Sequence, residues 1–332
     1  MILHPGILAL LVSSLLIGGM VLYSAICGVG ILRGWDINSG SDRQLFLERK
    51  TYLISTILGY FLAFQLVSLF LFIYSADSIC PLFVGAMCAV GTLSLNAYGY
   101  PVLFCKIANF ILAGLWLILN HVDSRGYDYP LLKTKYRILL LMTPFVIGEA
   151  VLQGFYFLSL TPNVITSCCG SLFGAGTTSL ASEIANLPAF PTMAAFYSVT
   201  ALTVVCGILF YRTGKAGLLF AGLSGTTFIV AIISVISFIS LYFYELPTHH
   251  CPFCILQQEY GYVGYPLYIL LLAGTVAGLG AGLITPFRKI PSLAATLPPL
   301  QRHLTLFSIA SFILFTAIAS WPIIFSSFRL DG

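Results

Sequence analysis

Apolar runs of about twenty residues recur along the whole chain, and each is long enough to cross a hydrocarbon core of roughly 30 Å as a helix. In lipid every backbone amide must be satisfied by the protein, so only helices or a closed barrel can span it. The ten-residue alternating segments that mark a barrel are absent. With 59% hydrophobic and 8% charged residues over 332 positions, a water-soluble fold is excluded as well. The pattern predicts an all-α polytopic bundle in the lipid bilayer, a single membrane domain over residues 1–332 with about eight transmembrane helices. The predicted spans are Gly6–Leu32, Thr51–Tyr74, Val102–Asn120, Ile138–Leu160, Thr192–Tyr211, Ala216–Phe243, Gly264–Ile284 and Leu304–Ser326. The segment behind Met1 lacks a positive n-region and is too apolar for too long to be a signal's h-region, which predicts an uncleaved first span.

The few charges report topology. Arg33, Arg43, Arg49 and Lys50, then Arg125, Lys133, Lys135 and Arg137, then Arg212 and Lys215, then Arg288, Lys289 and Arg302 fall in every second connection. They make up 13 of the 15 Lys and Arg. The positive-inside rule places these connections in the cytoplasm and both termini outside. Scattered in short loops, the basic residues form no stripe, so nucleic-acid binding is unsupported.

The opposite loops, 76–101, 161–190 and 244–263, are nearly devoid of basic residues and hold six of the nine cysteines: Cys80, Cys88, Cys168, Cys169, Cys251 and Cys254. Topology was set by Lys and Arg alone, so the segregation of cysteine to one side is independent information. Thiols gather where disulfides persist, which points to a bacterial inner membrane with these loops on the periplasmic face. The loops are also apolar, as in Pro81-Leu82-Phe83-Val84-Gly85-Ala86-Met87, and are expected to lie at the bilayer surface or between helices. Cys27, Cys105 and Cys206 fall inside spans and read as small apolar residues. Gly274, Gly278 and Gly282 repeat every four positions and predict a close helix contact. Glu149 and Gln153 in the fourth span, with Lys106 and Asn109 in the third, are polar at membrane depth; a Lys106–Glu149 pair is expected.

The sharpest motif is His249-His250-Cys251-Pro252-Phe253-Cys254, just ahead of the seventh span. A Cys-X-X-Cys at a helix N-terminus has its thiolate favoured by the dipole and by nearby imidazolium, and can cycle between dithiol and disulfide. The motif alone equally admits a structural disulfide or half of a metal site. Cys80 and Cys88, with seven residues between them, can swing one thiol toward a partner. Cys168 and Cys169 are adjacent, and ordinary bridge geometry requires partners from another loop. Six cysteines permit fifteen pairings, and the connectivity stays open.

The run Cys80 to Pro101, in which the spaced pair leads through Ser94, Tyr98 and Gly99 into a helix, resembles the cysteine loop of the vitamin K epoxide reductase family. Cys251-Pro252-Phe253-Cys254-Ile255-Leu256 resembles that family's active-site pair, and the pair of the bacterial quinone-linked enzymes that reoxidise periplasmic disulfide donors. The resemblance implies a helical bundle in which Cys251 and Cys254 pass electrons to a quinone, ubiquinone or menaquinone. Cys80 and Cys88 would then exchange disulfides with a soluble thioredoxin-like periplasmic partner. Four spans separate Cys88 from Cys251 where the family has two, and Cys168-Cys169 sits two spans before Cys251, so that vicinal pair is the alternative shuttle. The corresponding four-helix core is 138–286 or 51–286. Gln257, Gln258 and Glu259 stand where the bacterial enzymes carry a cation.

Phe253, Tyr260, Tyr262 and Tyr265 are placed to wall a quinone site, or to serve as an interfacial aromatic belt. A membrane thiol–disulfide oxidoreductase is the preferred reading. No metal is favoured; the alternative is a soft-metal protein holding copper, zinc or mercury on His249, His250, Cys251 and Cys254, joined by Cys80 or Cys88. A third reading is a membrane anchor subunit with structural disulfides. His4, His121, His249, His250 and His303 offer no pair on facing helices for haem.

Overall fold

The computed structural model of the chain describes residues 4–37, 39–161 and 180–330. It is all-helical, with eight helices among the described residues long and apolar enough to span a membrane. In order they are Pro5–Gly34, Asp42–Ser78, Gly99–Asp123, Leu132–Leu158, Ala189–Thr213, Gly217–Tyr244, Gly264–Leu283 and Leu297–Phe325, the first to eighth spans below. All eight expected spans are present. Several helices begin earlier than their apolar runs: the second starts at Asp42, where Ser41 precedes it and accepts from Gln44 N. Apolarity marks where lipid begins, whereas capping and helix-forming polar residues carry the helix on into water.

The chain divides into two compact units. The first unit holds the first four spans and the short stretch Phe287–Leu297. Both the first and third spans pack along the fourth, around Ile17, Val21, Leu58, Leu62, Trp116, Tyr136, Leu139 and Met142. Gly28 lets the first span approach the Tyr136 ring, since a methyl group there would fall 2.6 Å from Tyr136 Cδ1. Two ion pairs tie the unit together. Lys106 Nζ lies 2.6 Å from Glu149 Oε1, as expected, and also donates to Ser68 Oγ at 2.7 Å. Glu149 Oε2 accepts from Gln65 Nε2 and Asn109 Nδ2, each at 2.5 Å, so three helices meet on one carboxylate. Gln153, one turn on, donates to Leu10 O and Ser14 Oγ of the first span. Lys135, counted above among the loop cations, instead makes a buried pair with Asp123 at 2.7 Å, while Asp123 also accepts from Leu131 N and closes the third-to-fourth turn.

The second unit holds the fifth to eighth spans together with Ala76–Leu95, the connection between the second and third spans. The glycine stripe of the seventh span makes close helix contacts within it, as expected. A methyl group on Gly274 would fall 2.9 Å from Ser311 Cβ; one on Gly278 would collide with Ser224 Oγ, and one on Gly282 with Ala221 Cβ. Ser308 Oγ uses the proximity to donate to Gly274 O at 2.7 Å. Replacing Gly278 with leucine is therefore expected to lower stability by about 1–3 kcal/mol through overpacking. Thermal unfolding in detergent measures it, and an unchanged midpoint would disprove the close contact. Near its end the sixth span loosens into a π-helical turn, Val235–Ile239, a feature often found at functional sites.

Candidate functional site

One end of the second unit carries the cysteines. The sixth span ends at Tyr244, and Glu245 turns the chain back with φ 53°. The returning segment brings Cys251 and Cys254 under that tyrosine. Tyr244 OH donates to Cys251 O at 2.5 Å and accepts from Ile255 N at 2.9 Å, so one phenol fixes the backbone on both sides of the motif. Tyr268 OH, from the seventh span, donates to Pro252 O at 2.6 Å. Cys254 opens a one-turn 3₁₀ helix, Cys254–Leu256, and the spanning helix begins only at Gly264. The pair thus lies ahead of the seventh span, as expected, and is separated from its first turn. Gly261 and Tyr262, with φ 62° and 55°, break the helical path between the two.

Cys88 comes from a connection far away in sequence. It precedes the short helix Ala89–Leu93, whose first amide, Ala89 N, donates to Asp77 Oδ1 at 3.1 Å. Gln257, three residues beyond Cys254, donates to the same Asp77 oxygen at 3.1 Å and to Met87 O at 2.9 Å. The amide thus latches the Cys88 segment to the Cys251 segment. Gly91 allows the fold, since a methyl group there would fall 2.8 Å from the Ala86 backbone.

The result is a cluster of three sulfurs. Cys88 Sγ lies 3.6 Å from Cys251 Sγ, and the sulfurs of Cys88, Cys251 and Cys254 all lie within 4.8 Å of one another. A covalent S–S bond is about 2.05 Å, so 3.6 Å is a contact between unbonded sulfurs. All three are buried, among Val90, Phe238, Ile239, Leu267 and Leu271. Cys80, on the 3₁₀ turn Cys80–Leu82, is buried outside the trio. Next to it Leu82, Val84 and Met87 are exposed, an apolar rim in keeping with a loop at the bilayer surface. Cys168 and Cys169 lie outside the described residues.

The two histidines separate in role. His249 Nε2 is 3.3 Å from Cys254 Sγ, and its ring stands edge-on to Tyr244 at 4.5 Å. Burial pushes its pKa down, opposed by negative charge at Cys88 and helped by His250, so the ring is held neutral at neutral pH. His250 Nδ1 is 3.0 Å from Ile236 O, in the π turn, and donates to that carbonyl. Phe253 and Tyr260 are half-buried and pack on the core that holds the sulfurs; Tyr260 also meets Tyr244 at 4.8 Å. Burial, then the charges of Cys254, Glu259 and Cys251, raises the Tyr260 pKa. Tyr262 is exposed and faces Tyr265 at 6.2 Å.

Tyr244, Tyr268, Asp77 and Gln257 were not singled out as functional from sequence. The only signal for Asp77 was a carboxylate closing an apolar span, and for Gln257 its place where relatives of the resembled family carry a cation. No known family, curated protein or solved structure matches this chain. What can be said of function rests on the chemistry of the multi-pass bundle and its buried cysteine cluster.

Proposed function

We propose that this chain is a membrane thiol–disulfide oxidoreductase that moves electron pairs between external dithiols and a quinone. The observation that carries the reading is the 3.6 Å approach of Cys88 Sγ to Cys251 Sγ with Cys254 beside them. Exchange needs an attacker, a disulfide sulfur and a leaving sulfur, and three thiols so grouped supply one of each. With Cys251 and Cys254 bridged, the Cys88 thiolate attacks Cys251, forming a Cys88–Cys251 bond and releasing Cys254 as thiolate. Attack of Cys80 on Cys88 then releases Cys251 and leaves a Cys80–Cys88 disulfide. Two electrons have passed from the loop pair to the Cys251/Cys254 pair.

A quinone taking those two electrons and two protons as it becomes quinol restores the second disulfide. The loop disulfide in turn oxidises a dithiol of a thioredoxin-like partner. Phe253 and Tyr260, which pack on the core that holds the sulfurs, are the aromatic groups a quinone ring would meet, with Tyr262 and Tyr265 as further wall residues. The positive-inside rule applied to the basic connections supports a site on the side opposite the cytoplasm, facing the periplasm from a bacterial inner membrane. Cys80 and Cys88 are preferred to Cys168 and Cys169 as shuttle because Cys88 already touches Cys251.

Trapping tests the step. In the double variant Cys80→Ser with Cys254→Ser, an oxidised dithiol partner can join Cys88 to Cys251 and no relay thiol is left to attack the bond, so non-reducing peptide mapping should recover the Cys88 and Cys251 peptides joined. Recovery of Cys251 joined only to other cysteines, or as thiol after treatment with an oxidised partner, would refute the relay.

A further inference from the structure

We infer that the reduced Cys88, Cys251 and Cys254 thiols, with His249, form a binding site for one zinc-class cation. Tetrahedral zinc with Zn–S bonds of about 2.3 Å sets its sulfurs about 3.8 Å apart, and a Zn–N bond of about 2.0–2.1 Å sets the nitrogen about 3.5 Å from each sulfur. The distances here are already of that size: 3.6 Å from Cys88 Sγ to Cys251 Sγ, and 3.3 Å from His249 Nε2 to Cys254 Sγ. All three sulfurs fall within a 4.8 Å span, so small side-chain movements close the shell.

The surroundings hold the backbone that carries the ligands. Tyr244 and Tyr268 bond the carbonyls of Cys251 and Pro252. His250 is excluded as a ligand through Nδ1, which is engaged with Ile236 O. Charge selects the ion. Three thiolates and a neutral imidazole around a divalent cation sum to −1, whereas a monovalent copper ion would leave −2 in a buried site, at greater cost. Binding requires no electron transfer, so the inference goes beyond the relay. Oxidation of Cys251 and Cys254 to a disulfide removes two of the four ligands and should expel the ion.

The full-length chain, purified in detergent, reduced and desalted without oxygen, is the sample. Titration with Co²⁺ should give thiolate-to-cobalt charge transfer in the near ultraviolet and intense tetrahedral visible bands, both displaced by Zn²⁺ at roughly one equivalent. Cys88→Ser, Cys251→Ser and Cys254→Ser should each lose the charge-transfer band or halve it with expansion by solvent ligands, and His249→Ala should weaken binding at least about tenfold. Because a variant can fail to fold, the unmutated chain supplies a second readout: Zn²⁺ should protect these three cysteines, and not Cys206, from alkylation. Substoichiometric metal, or a cobalt spectrum unchanged in all three serine variants, overturns the site. A chain that forms the Cys88–Cys251 bond without binding zinc overturns only this inference, and one that binds zinc without forming that bond overturns only the relay.

Discussion

Replacing Cys251 with alanine should reduce quinone-dependent oxidation of an added dithiol to the rate seen without protein. Cys251 is the sulfur that Cys88 approaches to 3.6 Å, so its loss removes the acceptor that the loop thiol touches. Replacing Cys88 should have the same effect for the converse reason, while leaving the Cys251/Cys254 pair able to exchange electrons with quinone. The two variants therefore differ in one measurable respect: quinone added to the reduced chain should still form the Cys251–Cys254 disulfide in Cys88→Ala and should form none in Cys251→Ala. Cys206→Ala is the control and should turn over normally, since Cys206 packs with Phe210, Phe220 and Ala281 as an apolar side chain. Undiminished turnover in Cys251→Ala would end the proposed function.

The depth of burial bears on how a partner is served. Cys251 is fully buried and Cys88 nearly so, which denies a soluble protein direct access to either. Cys80, on the turn beside the exposed Leu82, Val84 and Met87, is buried as well, so the mechanism requires this segment to open before a partner can be served. Opening of the segment requires release of the Gln257 bonds to Asp77 and Met87, each contributing on the order of 1 kcal/mol net. Such a latch is weak enough to open during turnover.

The number and order of spans were legible because hydrocarbon imposes a length and a composition that few side chains can violate. The Lys106–Glu149 pair was legible for the same reason: two charges in neighbouring spans at membrane depth must find partners. Helix ends were not legible, as Asp42 shows, because past the lipid boundary a helix continues on polar residues. At the site, the motif Cys251 to Cys254 could be read but its setting could not. Cys88 reaches Cys251 across 163 positions of sequence, and the Tyr244 and Gln257 contacts exist only once that return is made. The excess of spans over what dithiol chemistry requires also has a structural counterpart. The unit with the cysteines is assembled from the last four spans and one loop borrowed from between the second and third.

That borrowed loop makes the stability of the first four spans matter, and the buried ion pair within them gives the second large expected effect. Lys106→Met removes the cation but leaves Glu149, 2% exposed, with only the Gln65 and Asn109 amides for its charge. Glu149→Gln leaves Lys106, 1% exposed, with Ser68 Oγ and the face of Phe72. Stranding one member of a buried pair typically costs about 3–5 kcal/mol, whereas replacing both by neutral groups is often close to neutral. Each single variant should therefore unfold at markedly lower temperature in detergent, and the double variant Lys106→Met with Glu149→Gln should recover most of the loss. Additive losses in the double variant would show that the two groups act separately, contrary to their 2.6 Å contact. The zinc and trapping measurements on the same variants, made below the unfolding temperature, should be unchanged, because none of the ligands or relay sulfurs belongs to this unit.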